Sequence, residues 1–263
     1  MPQGFLLGSE TASTVSSRGV YKFPVVVSDK ATYPDGQCSS YDTEYCSWSN
    51  LPDDDWKMQD DYSWVIGEFV WTGYDYLGEP TPYDTYWPSR SSYFGICDLA
   101  GLPKDLYYMY RARWNEQQHT THLLPHWNWK GREGQVTPVY CYTDGVEGEL
   151  FVNGKSQGVR KKTVYGAKNE GDAFRKSTEY HVMWRVNFEP GEVKVVARKN
   201  GKVLREQVIK TAGAPHHLVL KKTYQGCQAY GTSDPTTFVE VNVVDKDGNL
   251  CPNADNQIYL LHS

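Results

Sequence analysis

The segment GEFVWTGYDYLGEPTPY, residues 67–83, decides the fold of the first part of the chain. Its apolar and aromatic residues 68–73 predict a buried strand, and the Gly and Pro residues that follow predict a loop. An apolar run at 4–8 predicts an earlier strand, and amphipathic patterns predict helices over 55–67 and 104–114. The resulting order of strand, loop, helix, strand, loop, helix is typical of a parallel α/β structure.

The hydrophobic period changes to two from about residue 122 onward. Asn153-Gly154 and Asn200-Gly201 are strong signals for tight turns between strands, so an all-β sandwich is predicted here. A linker-like stretch at 212–215 precedes a further β unit that is too short for a complete sandwich. We therefore expect a multidomain chain, α/β plus all-β. The three expected units are 1–118, 119–212 and 213–263.

Charge and composition exclude several classes of protein. The net charge is −5, and no basic run is longer than Arg160-Lys161-Lys162, so the electrostatic signature of a nucleic-acid-binding protein is missing. No apolar stretch approaches the roughly 18 residues that a membrane helix needs, and we expect no membrane partner. The first residues have no basic region before their short apolar run, which predicts no signal peptide in this chain.

Cysteine and histidine spacing predicts no metal site and no cofactor. The six cysteines form no CxxC pair, which favours separate buried thiols. Cys38 and Cys46 are close together in a loop, and a disulfide between them in an oxidising compartment is the alternative. His119, His122 and His126 lack the HExxH order of a zinc site.

The first 118 residues combine aromatic rings with negative charge. They hold thirteen of the twenty Tyr, six of the nine Trp and a net charge of −9, whereas the remainder carries +4. Sugars stack their C–H faces on aromatic rings and need carboxylates for their hydroxyls, so this composition fits a glycan site. The alternative is that the aromatic residues simply fill a core.

Several sequence blocks resemble glycoside hydrolase family 2, in particular its Bacteroides-type beta-galactosidase-like members. The blocks are GSETAS at 8–13, SRGVY at 17–21, the segment 67–83, WPSRSSYFG at 87–95 and DLAGLPKD at 98–105. This resemblance implies that residues 1–118 are the C-terminal part of a (β/α)8 TIM barrel. LPHWNW at 124–129 resembles the start of an immunoglobulin-like β-sandwich (119–212), and VNVVDKDGN at 241–249 resembles a partial invasin-type Ig-like module (213–263).

The resemblance also implies a function. The family's members are retaining glycosidases, which here implies an exo-enzyme that hydrolyses terminal beta-galactosides or related O-glycosides in an oligosaccharide or polysaccharide. By its motif, Glu10 would be the nucleophile, and Trp71 would stack against the terminal sugar. Asp75 and Glu79 would bind sugar hydroxyls. For Trp71 the alternative is a packing role, and for Glu79 it is stabilisation of a turn.

The chain departs from the family where the acid/base is expected. The family's acid/base lies in an Asn-Glu pair before the nucleophile, whereas Asn115-Glu116 and Asn169-Glu170 both follow Glu10. We therefore expect the acid/base to be absent from this chain, which alone would be inactive. Met1 is interpreted as an internal start, with export to the periplasm or outside the cell encoded upstream. Two strands cannot close a barrel. The alternative function is therefore a non-catalytic β-sandwich that binds carbohydrate or a partner and retains a vestigial barrel remnant.

Overall fold

A computed structural model describes residues 4–28, 32–87, 89–162, 179–228, 235–259 and 261. Pro88, in the block WPSRSSYFG, and the Asn169-Glu170 pair lie outside the described residues. Within the described ranges, no helix has the length and apolar character needed to cross a membrane.

The first part of the chain contains two parallel strands and two helices. They are β1 (Leu6–Ala12), α1 (Pro52–Asp61), β2 (Val65–Trp71) and α2 (Asp105–Trp114). The parallel pairing of β1 with β2 confirms the predicted α/β order. The predicted helix over 55–67 was wrong at its end, because α1 stops at Asp61 and β2 already begins at Val65. Val65 and Ile66 are β-branched, and Val65 pairs with Leu6, so strand pairing prevails over the helical pattern.

The middle of the chain forms two antiparallel sheets. The strands are β3 (Thr121–Leu124), β4 (Val136–Thr143), β5 (Glu147–Val152), β6 (Lys155–Lys161), β7 (Val182–Asn187), β8 (Glu192–Lys199) and β9 (Lys202–Lys210). Their orders are β3-β4-β7 and β6-β5-β8-β9. Buried side chains from both sheets share one apolar cluster around Trp127 and Trp184, which makes this unit a β-sandwich.

Both predicted hairpin turns are confirmed. Asn153 and Gly154 have φ values of 48° and 78° between β5 and β6, and Asn200 and Gly201 have 52° and 75° between β8 and β9. Two successive residues with positive φ match the twist of an antiparallel pair, and Asn-Gly is the sequence that adopts this conformation most readily.

The last strands, β10 (His217–Gln228) and β11 (Pro235–Val244), form an antiparallel pair of their own. The Asp245 carboxylate binds the linker at 212–215 that precedes them, because the backbone N–H of Gly213 donates to Asp245 Oδ2 at 2.8 Å. Asp245 also accepts the backbone N–H groups of Asp247 and Asn249 in the turn after β11.

The two helices cover the outer face of the β3-β4-β7 sheet. A second buried cluster joins Trp56 of α1 and Met109 of α2 to Tyr140 and Tyr142 of β4. Tyr41, from the loop before α1, donates a hydrogen bond from its hydroxyl to the Pro138 carbonyl at 2.6 Å. The first part and the sandwich therefore share a packed interface.

Cys38 and Cys46 lie buried in a third cluster with Val15, Tyr83 and Phe94. The structure has them as two separate thiols and not as a disulfide. Burial raises the pKa of Cys46 to about 11, so this thiol stays protonated and unreactive.

Candidate active site

Glu10 lies near the carboxyl end of β1, in an irregular part of the strand. Gly8 pairs with Glu68 and Thr11 with Val70, so β1 has one more residue than β2 between these pairs. Such a β-bulge re-aims the side chains at the bulge. The Glu10 side chain is exposed to solvent in this chain.

The backbone directly after Glu10 is held in an unusual conformation. Ala12 and Ser13 have φ values of 60° and 55°, in the left-handed region that costs non-glycine residues free energy. Both residues are buried, and the Ala12 carbonyl accepts the Asn50 N–H at 3.0 Å. The packed surroundings therefore impose the turn that ends β1 just beyond Glu10.

The Glu68 carboxylate on β2 holds the bulge through two hydrogen bonds. Thr11 donates its hydroxyl to Glu68 Oε2 at 2.8 Å, and the Trp56 indole N–H donates to Glu68 Oε1 at 2.7 Å. A Cβ at Gly8 would lie 2.4 Å from Thr11 Cγ2. Because Thr11 is held by this bond, position 8 requires glycine.

Three more side chains form a hydrogen-bonded chain at the end of β2. The Trp71 indole N–H donates to the Tyr76 hydroxyl oxygen at 3.2 Å, and the Tyr76 hydroxyl donates to the carboxylate of Glu79. Gly78 and Glu79 have φ values of 85° and 36°, and this sharp turn brings Glu79 back to Tyr76. The two rings meet edge to face, with centroids 5.9 Å apart.

The charge of Glu10 acts on the same group of side chains. Burial raises the pKa of Tyr76, the hydrogen bond to Glu79 raises it further, and the charges of Glu79 and Glu10 add to the effect. Ala12 is opposite Trp71 in the parallel pair, which places the two strand ends side by side. Trp71 and Glu79, predicted from one sequence block, thus both hydrogen-bond Tyr76, and Glu10, predicted from another block, lies on the neighbouring strand.

Known proteins resemble the chain over nearly its whole length. Residues 134–205, within the sandwich, match the family described as "Domain of unknown function (DUF4982)". The chain is 44% identical over 262 residues to beta-galactosidase BoGH2A of Bacteroides ovatus, which covers 95% of this chain and 28% of that protein. Among solved structures, it resembles the crystal structure of a beta-glycosidase from Bacteroides vulgatus, with 30% sequence identity and a TM-score of 0.74. The match covers 95% of this chain and 33% of that one. A crystal structure of a glycosyl hydrolase family 2 member from Bacteroides cellulosilyticus has 25% identity and a TM-score of 0.57, and covers 75% of this chain and 26% of that one.

The chain belongs to glycoside hydrolase family 2. The predicted resemblance is therefore confirmed, including its beta-galactosidase-like character. This family 2 chain spans 28% of the length of the curated relative that it matches.

Asp75 differs from the other predicted site residues of this family 2 chain. Lys104 Nζ lies 2.8 Å from Asp75 Oδ2, and the Gly95 N–H donates to Oδ1 at 2.8 Å. Lys104 is itself buried and donates to the Ser16 carbonyl at 2.7 Å. Burial lowers the pKa of Lys104 and raises the pKa of Asp75, and their mutual attraction opposes both shifts. In this structure Asp75 anchors the loop that carries Tyr76 and Glu79.

Sequence reasoning missed Tyr76 and Lys104. Tyr76 is one of thirteen Tyr in the first 118 residues, and nothing in its local pattern distinguishes it from the others. Lys104 was assigned only to the start of a helix. A lysine between Pro103 and Asp105 reads as exposed, because lysine is rarely buried unless it is paired.

Proposed function

We propose that this chain contributes the nucleophile and one wall of the sugar site to a retaining exo-glycosidase that hydrolyses terminal beta-galactosides. The observation that carries the proposal is the position of Glu10 in the bulge at the carboxyl end of β1, beside the chain of Trp71, Tyr76 and Glu79. Active sites of (β/α)8 enzymes lie at the carboxyl ends of the strands.

The same proposal implies an architecture for the three parts of this chain. The parallel pair β1–β2 corresponds to the last two strands of a (β/α)8 barrel, the sandwich to an immunoglobulin-like domain, and β10–β11 to the start of another Ig-like module. Phe69 and Leu7 are 64% and 49% exposed, as expected of barrel strands whose neighbouring strands come from elsewhere. The general acid/base and the rest of the pocket would then come from regions that the longer relatives contain. For the whole protein we propose a periplasmic or secreted location.

In the proposed reaction, a carboxylate oxygen of Glu10 attacks the anomeric carbon, and the bond to the leaving oxygen breaks as the acid/base protonates that oxygen. The glycosyl ester formed on Glu10 is then hydrolysed by water, which the same acid/base deprotonates. Both steps invert the anomeric carbon, so the product retains the β configuration.

The neighbouring side chains would have distinct roles in this site. Trp71 offers an aromatic face to the C–H groups of the terminal sugar. Tyr76 holds Trp71 and Glu79 in place by accepting the indole N–H and donating its hydroxyl to the carboxylate, and Glu79 accepts hydrogen bonds. Asp75 acts through Lys104 by holding the loop in place.

The choice of a beta-galactoside rests on one relative, a beta-galactosidase with 44% identity to this chain. A missing or extra group on a sugar changes which hydrogen bonds a site must satisfy, so a galactoside and a uronic acid need different polar partners. The experiment therefore tests both sugars.

The test uses the complete reading frame that contains this chain, treated with 2-deoxy-2-fluoro glycosides of galactose and of glucuronic acid. We expect the galactoside to leave a covalent sugar on the peptide that contains Glu10, detected by mass spectrometry. Glu10→Gln should abolish this label and lower kcat for aryl beta-galactoside by at least about 10³-fold, because the nucleophile is lost.

Glu133→Gln, at an exposed position in the sandwich, is the matched control and should leave both labelling and turnover unchanged. Label on another carboxylate would refute the role of Glu10, and label only from the glucuronide would refute the galactoside. Binding of glycans without label or turnover would instead support the non-catalytic sandwich module.

A further inference from the structure

A second group of polar side chains lies between the first part and the sandwich. Asp42 comes from the loop before α1, Asp53 from the first turn of α1, and His181 from the residue just before β7. One possible ligand atom from each lies within 4.8 Å of the other two. Residues 42, 53 and 181 are thus brought together only by the packing of the two units.

Asp42 and His181 are buried and Asp53 is half-buried, and each of these side chains has at least one polar atom without a hydrogen-bond partner among the described residues. His181 is 0% exposed, and neither of its ring nitrogens has a hydrogen-bond partner among the described residues. Asp42 Oδ2 and Asp53 Oδ1 also lack one. His181 Nδ1 lies 3.0 Å from Asp42 Oδ2, but the two atoms do not have the alignment of a hydrogen bond. Buried polar atoms without partners cost free energy, so such a cluster requires an explanation.

Neighbouring tyrosine side chains fix the orientation of Asp42 and His181. The Tyr142 hydroxyl donates to Asp42 Oδ1 at 2.7 Å, which leaves Oδ2 directed at the cluster. The Tyr140 ring stacks on the His181 imidazole with centroids 4.6 Å apart and fixes its plane. Hydrogen bonds and packing of this kind around the ligating side chains are a regular feature of protein metal sites.

The cluster also concentrates negative charge. Asp42 and Asp53 each bring a carboxylate oxygen to within 4.8 Å of the other and of a His181 ring nitrogen. Two carboxylates this close repel each other unless a positive charge joins them. A divalent cation would neutralise the pair and satisfy the orphaned atoms of all three side chains.

We infer that Asp42, Asp53 and His181 bind a structural divalent transition-metal ion that joins the first part of the chain to the sandwich. Two carboxylates and one imidazole form a mixed oxygen and nitrogen donor set, which suits Zn²⁺ and Mn²⁺ better than Ca²⁺. Ligands bound at about 2.1 Å lie roughly 3–4 Å apart, so small movements of the side chains close the site. The inference does not depend on the proposed glycosidase function.

A nearby Asp–His pair at the same interface shows the contrasting case. Asp105 accepts hydrogen bonds from Tyr21 at 2.7 Å and Ser40 at 2.5 Å, and its Oδ1 is 2.5 Å from His122 Nε2. Both carboxylate oxygens are therefore satisfied by protein groups, and no ligand is needed there. In the cluster of Asp42, Asp53 and His181, by contrast, one oxygen of each carboxylate and both ring nitrogens of His181 lack such a partner within the part of the chain that the structure describes.

The test uses the tag-free 263-residue chain. We expect metal analysis of the purified protein to find about one equivalent of zinc or manganese. Removal with a chelator should lower Tm by about 5 °C, and Zn²⁺ or Mn²⁺ at about 100 times Kd should restore it. Ca²⁺ should restore much less. Co²⁺ added to the chelated protein should produce a visible absorption band from metal held by His181 and the carboxylates.

Asp53→Asn distinguishes a metal site from a cluster that shares a proton. In a metal site this variant loses the metal, the Co²⁺ band and the chelator-dependent change in Tm. In a proton-sharing cluster it removes like-charge repulsion and leaves Tm unchanged or higher. Asp55→Asn, in the same helix but hydrogen-bonded to Asn50, is the control and should keep the full metal response.

Two results would overturn the inference. One is a wild-type chain without stoichiometric metal whose Tm responds to neither chelator nor added Zn²⁺ and Mn²⁺. The other is an Asp53→Asn variant that keeps the metal response, which would place the bound ion elsewhere, for example on the adjacent exposed His216 and His217.

Discussion

The first part of the chain and the β-sandwich distribute polar and apolar residues in opposite ways. The sandwich buries an apolar cluster between two sheets, with Val193 and Val195 fully inside. The first part leaves Leu7 and Phe69 of its strands exposed and instead buries polar groups such as Lys104 and Asp105. Hydrophobic burial therefore holds the sandwich together, whereas the long loops of the first part are held by buried hydrogen bonds and ion pairs in addition to their apolar clusters.

This difference shows which region supplies both faces of its own core. The two inner faces of the sandwich cover each other, whereas the outer face of one of its sheets is covered by the first part of the chain. The parallel pair β1–β2 has apolar side chains that no described residue covers, although its loops are already fixed by specific polar contacts. Polar contacts thus fix the loops around the candidate active site, although strands β1 and β2 still have exposed apolar side chains.

The largest expected effect is the loss of the buried Lys104–Asp75 pair. Lys104→Met should lower the free energy of unfolding by about 3–4 kcal/mol, because it leaves the Asp75 carboxylate buried without its cation. Urea titration measures the change, and hydrogen exchange should show lost protection in residues 72–97 but not in the sandwich. Lys104→Met with Asp75→Asn should regain part of the loss. Equal loss of protection in both regions would break the comparison.

One shifted group in each region, His126 beside the sandwich and Asp55 in α1, should also respond to pH with opposite signs. Burial lowers the pKa of His126 to about 4, and it raises that of Asp55 to about 6. A histidine with a depressed pKa takes up its proton more readily when unfolded, so its stabilisation is complete above about pH 6.5 and is lost as the pH falls towards 4. A carboxyl with a raised pKa contributes stability that is complete below about pH 3.8 and is lost as the pH rises through 6.

Unfolding free energies from pH 4 to 7 test this in the variants His126→Gln and Asp55→Asn. Relative to wild type, His126→Gln should flatten the loss of stability at low pH, and Asp55→Asn should remove the gain at low pH, each by roughly 2–3 kcal/mol. Changes of the same sign in both variants would contradict the opposition between these two groups.

The smallest expected effect on stability is at the exposed strand face. Phe69→Thr should change the free energy of unfolding by less than about 0.5 kcal/mol, because the ring is 64% exposed, and it should reduce aggregation measured by light scattering. Val195→Thr, fully buried in the sandwich, is the paired substitution and should cost about 1–2 kcal/mol. A large loss in Phe69→Thr would mean that Phe69 is covered in solution.

Local features of the fold were predictable because they depend on neighbouring residues. The turns at Asn153-Gly154 and Asn200-Gly201 follow from the φ values that Asn and Gly tolerate. Helix α2, predicted over 104–114, begins at Asp105 and ends at Trp114. The end of α1 was not predictable, because the pairing of Val65 with Leu6 involves residues almost sixty positions apart.

Around Glu10 the motifs identified Trp71 and Glu79, but Tyr76, which bridges them, is defined only by its contacts. Asp75 was assigned from its place in a motif, and only the structure reveals that Lys104 engages it. Motifs record which residues belong to a family, whereas hydrogen-bond partners depend on the packing of loops that are distant in sequence.

The sequence by itself determined the family, the parallel and antiparallel halves and the position of Glu10 at a strand end, since these depend on residue order and short-range periodicity. The tertiary structure alone decided the bulge at Glu10, the burial of Lys104, and the meeting of Asp42 and Asp53 with His181. The physical reason is that desolvation and polar satisfaction are properties of a side chain's whole surroundings, which form only when distant segments pack together.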